Sequence, residues 1–460
     1  MNPQGIHGML ERWLAFAARH TRWIVAFVAL LVFLASAISL VRYWIKITEP
    51  SRDGTYTKSA ILRWRPQLEA LDRGEDIYAK YQYPNPPMMA LILRPMVSLP
   101  IVANAMVWFI FKSILAAAIL AIAIDLVGDG NRQLSLGSKV AVLALALHPL
   151  LGDLSHGNVN IFVAFVLFLG LAAIARGFDL AGGALIALGI ACKVTPLLFV
   201  GYFGWKLLLG LWDAVRTRGP IFRSLYSSGG GVLIGLALGL GLWLWLVPGL
   251  ALGFERNEQL LASWSNQMLK PFLVDGKVTS EHPNQSIPGV VFRLFTHQPS
   301  DTIYDEDGKP VPSDYANIAD IGPDSAKNAV RGCQVAFVLL VAWLGRTRLA
   351  SSRRGLAISA EYAIVLLGML LFSERTWKHH ATTTALPMAV LVAAMVWQRP
   401  RPFWIGGVLA VGFLLMTVPS FLGEKLQDFC MIYGTHAVGF LLLLVSVAAV
   451  LRAERRIDHP

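Results

Sequence analysis

Apolar residues along this chain gather in runs of about 20, the length that crosses the ~30 Å of hydrocarbon in a bilayer. Twelve runs are expected to form membrane helices: 23–45, 101–127, 139–152, 158–176, 180–192, 195–212, 229–250, 327–345, 357–373, 381–397, 403–421 and 431–451. The runs 139–152 and 180–192 are shorter than a crossing needs and read as tilted, broken or partly buried in protein. The first run, from Trp23 to Trp44, is too long for a signal-peptide core and lacks a small-residue cleavage pattern, so it reads as a retained span. Two longer polar segments separate the runs. Segment 46–100 mixes charges, prolines and tyrosines, and its stretch from Tyr56 to Leu71 reads as an amphipathic helix on the membrane surface. Segment 252–326 is polar and rich in Pro, Asp and Asn. No soluble domain and no repeat emerges, so residues 1–460 are expected to form one all-α integral membrane domain.

Composition agrees with the pattern. Of the 460 residues, 55% are hydrophobic and 15% charged, against about 25% charged in soluble domains. A net charge of +11 would suit nucleic acid, but the arginines sit in short loops between apolar runs. The lipid bilayer is therefore the expected partner and nucleic acid is not. Cys192, Cys333 and Cys430 show neither metal-ligand spacing nor a disulfide framework.

The Lys/Arg bias sets an orientation. With Arg12, Arg19 and Arg22 in the cytoplasm, the even-numbered connections also fall inside. They carry Arg132 and Lys139; Arg176; Arg216, Arg218 and Arg223; Arg346, Arg348, Arg353 and Arg354; and Arg399 and Arg401. Arg452, Arg455 and Arg456 put the C-terminus inside as well. Three short turns, 153–158, 193–195 and 374–380, then face outward with the two long segments.

Polar residues on that outward side carry the candidate chemistry. Asp53, in SRDGTY, is either a solvated loop charge or a carboxylate in a half-buried cleft, where desolvation makes it a better base. YQYPNPPMMALILRPMVSLP (81–100) is a stiff, kinked entry to the second span. HPLLGDLSHGNVN (148–160) brings Asp153, His156, Asn158 and Asn160 together. It is an interfacial turn or the wall of a wet cavity, and Asn160 within an apolar run favours the cavity. Lys193 is either a snorkelling lysine or, with no acid nearby, an anion ligand. Asn284, Gln285, Ser286 and Arg293 lie in NQSIPGVVFRLF, which reads as a surface helix at the membrane face. In SERTWKHH, Arg375 and Lys378 stand on the outward side against the charge bias, which implies an anionic partner. His379 and His380 lack the i, i+4 spacing of a helical metal site but can hydrogen-bond or neutralise a phosphate.

In order, these motifs resemble the multi-spanning GT-C glycosyltransferases, and within them glycosyltransferase family 87. They are Asp53 with Tyr56, Tyr83-Pro84-Asn85-Pro86-Pro87, Gly157-Asn158-Val159-Asn160, Lys193 before Pro196, Asn284-Gln285-Ser286, and Trp377-Lys378-His379-His380. Together they cover about residues 50–390. The chain departs from the family pattern at Asn85, at Asn158 in place of Gln, and at Glu374 and Arg375 before the histidines. The resemblance implies a GT-C-like bundle of about twelve helices with extracytoplasmic loop helices, in the bacterial cytoplasmic membrane. It implies inverting transfer of a sugar, mannose first, from a polyprenyl-phosphate donor to a glycolipid or glycan acceptor at the cell envelope. Asp53 would be the base, and His379 and His380 would complete the catalytic set. Lys193, Arg375 and Lys378 would hold the donor phosphate without a metal cofactor. Tyr83, His156, Asn158, Asn160, Asn284, Gln285 and Arg293 would contact substrate.

A transporter or lipid-linked-sugar flippase is the main alternative, since twelve spans with both termini inside suit one equally well. A transporter, however, places polar residues along a midplane path, whereas here they gather at one surface. A structural membrane protein needs no such set. An oligosaccharide ligase with a pyrophosphate-linked donor stays open within the enzyme class.

Overall fold

The structure is a computed structural model that describes residues 20–49, 59–304, 310–349, 352–399 and 402–458. Each of the twelve expected spans is helical. We label them α1 (Thr21–Thr48), α2 (Ile101–Val127), α3 (Leu136–His156), α4 (Asn160–Ala175), α5 (Asp179–Cys192) and α6 (Leu198–Thr217), then α7 (Tyr226–Leu252), α8 (Pro323–Leu344), α9 (Leu356–Phe372), α10 (Ala385–Trp397), α11 (Trp404–Thr417) and α12 (Thr435–Asp458). Among the described residues, nine helices are long and apolar enough to cross a membrane once α6, α10 and α11 are counted with their flanking 3₁₀ turns, as Thr195–Thr217, Lys378–Trp397 and Trp404–Phe421, while α4, α5 and α9 are shorter. The only strands among the described residues form one hairpin, Asp301–Tyr304 with Pro310–Asp314. The protein is a multi-pass membrane protein.

The third span is longer than its apolar run suggests. Residues 139–152 lie inside a 21-residue helix that continues through Asp153 and His156. Those polar residues stay helical because Asp153 finds its partners inside the protein. Ser135 caps the start by accepting from Ser138 N–H. Gly157 ends the helix with φ +73. A β-carbon there would also meet Ser59 Oγ at 2.4 Å, so both conformation and close approach call for glycine.

The fifth span is short as expected, with 14 residues, or about 21 Å at 1.5 Å per residue. Its neighbour α7 approaches backbone to backbone. A β-carbon on Gly183 would lie 2.1 Å from Val232 O, and one on Gly235 2.1 Å from Leu180 O. Small residues let membrane helices pack this closely. Helix α5 thus stops short of a full ~30 Å crossing, and Lys193 caps its end.

Helices α9 and α10 form the buried centre, and nearly every residue of both is buried. Between them, residues 373–377 turn the chain into a 3₁₀ segment, Lys378–Thr384. The histidine pair is thus carried on a break between the two most enclosed helices. In the first long segment, the expected surface helix is instead two short helices, Ala60–Arg63 and Arg65–Asp72, joined at Trp64. Pro66 permits a new helix start but no continuation through it. Ala60, Ile61, Leu68 and Leu71 are buried, so the apolar face packs on protein rather than lying on lipid.

Candidate active site

The sharp turn at Gly157 brings the end of α3 back onto the start of α4. Asp153, fully buried, accepts from Asn160 Nδ2 through Oδ1 at 2.9 Å and pairs with Lys112 Nζ through Oδ2 at 3.0 Å. Lys112 also donates to the Asp153 carbonyl at 2.7 Å. This neutralised pair fixes the Asn160 amide, whose Oδ1 accepts from Lys193 Nζ at 2.6 Å. Lys193 also lies 3.4 Å from His380 Nε2.

The tautomer of His380 follows from its other nitrogen. Nδ1 is 3.1 Å from the Arg375 carbonyl, which can only accept, so Nδ1 carries the proton. Nε2 then presents a lone pair to the Lys193 ammonium. A longer contact from Trp377 N–H to Nδ1, 3.4 Å, asks for the other tautomer, which would set an N–H against that ammonium. His379 is oriented separately. Asn158 Oδ1 accepts from Val159 N–H at 2.7 Å, which turns its amide nitrogen toward His379 Nε2 at 3.2 Å. The His379 ring stacks on His156, centroids 3.8 Å apart and 15° between planes, with Trp377 edge-on at 5.5 Å.

Lys193 and His380 line a cavity of about 30 Å³ together with Asn160, Thr376, Thr382 and Thr383. The hydroxyls of Thr382 and Thr383 have no hydrogen-bond partner. Burial pushes Lys193 down to about 8, against the opposing pull of Asp153 and Glu374. Burial raises the Glu374 carboxyl to about 7, although Arg375, Lys193 and Lys277 favour its charge. The cavity therefore joins a weakly hydrated cation to a neutral imidazole and amide and hydroxyl groups. Such a set can receive an anion. Among the described residues, no three His, Cys, Asp or Glu side chains converge as metal ligands.

Of the expected site residues, the structure brings together His156, Asn158, Asn160, Lys193, His379 and His380. Four expected substrate contacts lie elsewhere. Tyr83 is fully buried and packs edge-on against Trp64 at 5.8 Å. Asn284, Gln285 and Arg293 have no exposed surface. Asn284 Nδ2 donates to Glu374 O at 2.7 Å, and its Oδ1 accepts from Thr376 N–H at 2.9 Å. Gln285 donates to Met431 O at 2.7 Å, and Arg293 reaches the carbonyls of Ser280, Glu281, Asn284, Met431 and Ile432. Their polar atoms are taken up by backbone, so they brace the turn that carries the histidines.

The expected phosphate ligands also divide. Arg375 turns to Thr279 Oγ1 at 2.9 Å and lies over the Phe272 ring, so it is drawn to the outer segment. Lys378 is exposed, and its charge bears on His148, His156 and His436 rather than on Lys193. Asp53, the expected base, lies outside the described residues. The residues that flank its segment do reach the site: Lys46 Nζ donates to Ser155 O at 2.8 Å, and Ser59 abuts Gly157. The Lys112–Asp153 pair escaped the sequence reading. A single lysine within the apolar run 101–127 was its signal, since an intramembrane charge needs a partner.

The protein is thus a multi-pass bundle of membrane helices that gathers a lysine, three imidazoles and amide side chains at one end. The chain belongs to glycosyltransferase family 87, whose sequence profile matches residues 83–373. It is also similar to the crystal structure of ArnT from Cupriavidus metallidurans in the apo state, with TM-score 0.37 and 14% identity over 92% of this chain and 78% of that one. No curated protein matches the chain.

Proposed function

We propose that this glycosyltransferase moves a sugar from a polyprenyl-phosphate donor to a hydroxyl of a glycolipid or glycan on the extracytoplasmic side, with inversion and without a metal cofactor. Mannose is the first sugar to test. The observation that carries the reading is Lys193. Its ammonium sits half-buried in the cavity wall, held by Asn160 and His380, with no carboxylate in ion-pair contact among the described residues. A phosphate leaving group needs stabilisation of developing charge more than protonation, and a preorganised cation supplies it. His380, with its Nε2 lone pair toward Lys193, fixes that ammonium and donates to phosphate only if protonated. His379 orients the wall. We assign Asn284, Gln285 and Arg293 to positioning the histidine turn, and Asp53 to taking the acceptor proton. A direct displacement of this kind converts a β-linked donor to an α-linked product.

The test uses purified full-length protein with radiolabelled polyprenyl-phosphate mannose and membrane-lipid acceptors. Lys193→Ala is expected to lower transfer at least about 100-fold, as for loss of one preorganised charge-stabilising donor. It should weaken donor use more than acceptor use. Asp53→Asn should abolish transfer while leaving donor binding intact. Equal loss of donor and acceptor use in Lys193→Ala would remove the donor assignment. Full transfer by Asp53→Asn would remove the base.

A further inference from the structure

Three imidazoles stand in a row across the site. His380 meets His379 edge-on at 4.8 Å, and His379 stacks on His156 at 3.8 Å. Lys193 occupies the His380 end of this row. At the other end, the charges among the described residues that bear on His156 are Arg63, Lys46, Lys112 and Lys378, and all are positive. Two of these have acceptors already described: Lys112 has Asp153, and Lys46 has the Ser155 carbonyl. Arg63 and Lys378 are different. Both side chains are exposed, and neither makes a hydrogen bond or ion pair among the described residues. They are nevertheless built into the site. Ser59 and Ala60 press on Gly157, which fixes the short helix that ends in Arg63. Lys378 opens the 3₁₀ segment that carries His379.

The surroundings offer these cations little negative charge. Asp153 is enclosed between Lys112 and Asn160. Asp428 bears on Lys378 from beyond ion-pair distance, and among the described residues no carboxylate bears on Arg63. His156 Nδ1 is buried without a hydrogen-bond partner. Like charges that converge around an unpartnered ring nitrogen are unfavourable unless an anion joins them.

We infer that Arg63, Lys378 and His156 form a second anion site, separated from Lys193 by the His156–His379 stack, which takes the phosphate group of the acceptor or of a lipid beside it. Arg63 supplies a planar donor fork, Lys378 a point charge, and His156 Nδ1 a hydrogen bond. In the transfer reading, donor phosphate sits at one end of the imidazole row and an anionic acceptor headgroup at the other. The second site depends on that reading only for the word acceptor.

Full-length protein in uncharged detergent is titrated by calorimetry with glycerol 1-phosphate and, separately, with dihexanoyl phosphatidylglycerol. Wild type is expected to bind two equivalents of at least one probe. The double variant Arg63→Gln/Lys378→Gln should weaken one step by about tenfold or more, the scale of one lost charged hydrogen bond, and leave the other step unchanged. Arg63→Lys should retain both steps. If the double variant does not fold, Arg63→Gln alone is read the same way. Binding of the free ester places the phosphate group itself at the site. Binding of the short-chain lipid alone places a lipid headgroup there. No binding of either probe by wild type, or binding steps that are all unchanged in the double variant, overturns the inference. Lys193→Gln should remove the other step. If it removes neither, the donor assignment fails while the second site stands.

Discussion

The two ends of the helix bundle handle charge in opposite ways. At the arginine-rich end, the carboxylates that hold the helices together are each matched by a cation. Asp125 meets Arg176 and Arg354, Asp179 meets Arg353, Asp213 meets Arg348, Glu454 meets Arg132, and Glu361 meets Lys206 and Arg455. These pairs join helices far apart in sequence. At the end that holds the histidines, the first long segment carries exposed or half-exposed pairs of its own, Arg65 with Glu69, Arg94 with Asp72, and Glu75 with Arg73 and Lys80. Around the imidazoles, the matched pair among the described residues is Lys112 with Asp153. Lys193, Arg63 and Lys378 have no carboxylate at ion-pair distance among the described residues. Matched charges crosslink the bundle and have no capacity left for a ligand. Unmatched cations beside apolar helices are unfavourable in the empty protein, and an anionic substrate relieves that cost. The first end is architecture, and the second is where chemistry is to be sought.

The strongest way to break this contrast is at Glu361. Its carboxylate is buried and accepts from Tyr202 Oη at 2.8 Å, from Thr347 N–H at 2.7 Å and from Arg455 at 2.7 Å, besides Lys206. Glu361→Ala leaves two cations without their anion, a change that typically costs about 3–5 kcal/mol. Thermal unfolding in detergent should shift down sharply, while the fraction that stays folded transfers sugar at a near wild-type rate. Lys193→Ala should do the reverse, with activity lost and the unfolding temperature nearly unmoved. If Glu361→Ala unfolded at the wild-type temperature but lost turnover, the division between architectural and chemical ends would be wrong.

How much of this could be read beforehand varies with the range of the interaction. The helices were legible because an apolar run is a local property, and all twelve appear. The extension of 139–152 through Asp153 was not, since it depends on Lys112, 41 residues earlier. The meeting of Lys193, Asn160 and His380 showed only in the Lys/Arg bias, which put their turns on one side, and in the order of the family's motifs, because no spacing along the chain brings residues 33 and 187 positions apart together. Arg293 shows the remaining limit. A basic residue in an apolar patch announces that it needs acceptors, but not whether those will be substrate oxygens or backbone carbonyls. The same ambiguity hid Arg63, whose significance lies in having no side-chain partner among the described residues.

A smaller effect should sharpen the chemical end. Burial holds the Lys193 ammonium at about 8 and the Glu374 carboxyl at about 7. As pH rises from 6.5, Glu374 gains negative charge first and Lys193 then loses its proton. Both steps remove positive potential from the donor cavity. The donor KM should therefore rise by about tenfold between pH 7 and pH 9, the change in protonated fraction for a group titrating near 8. Glu374→Gln should flatten the part of that rise below pH 8 and keep the part above it. A donor KM that stays level to pH 9 would mean that the titrating group does not hold the donor.

The smallest expected effect is the sharpest control on the architectural end. Arg176 reaches Asp125 at 2.9 Å, but both side chains are well exposed and Arg354 also pairs with that carboxylate. Exposed pairs contribute about 0–1 kcal/mol, because water and salt screen them and two long side chains must be held still. Arg176→Gln should therefore lower the unfolding temperature slightly, by less than a fifth of the Glu361→Ala shift, and leave the donor KM and its pH profile unchanged. Raising the salt concentration should shrink even that small difference, since screening already weakens the pair in wild type. A large loss of stability on Arg176→Gln would show that the matched end works as one coupled network in which an exposed member matters as much as a buried one. A change in donor KM would show that the two ends communicate through the helices.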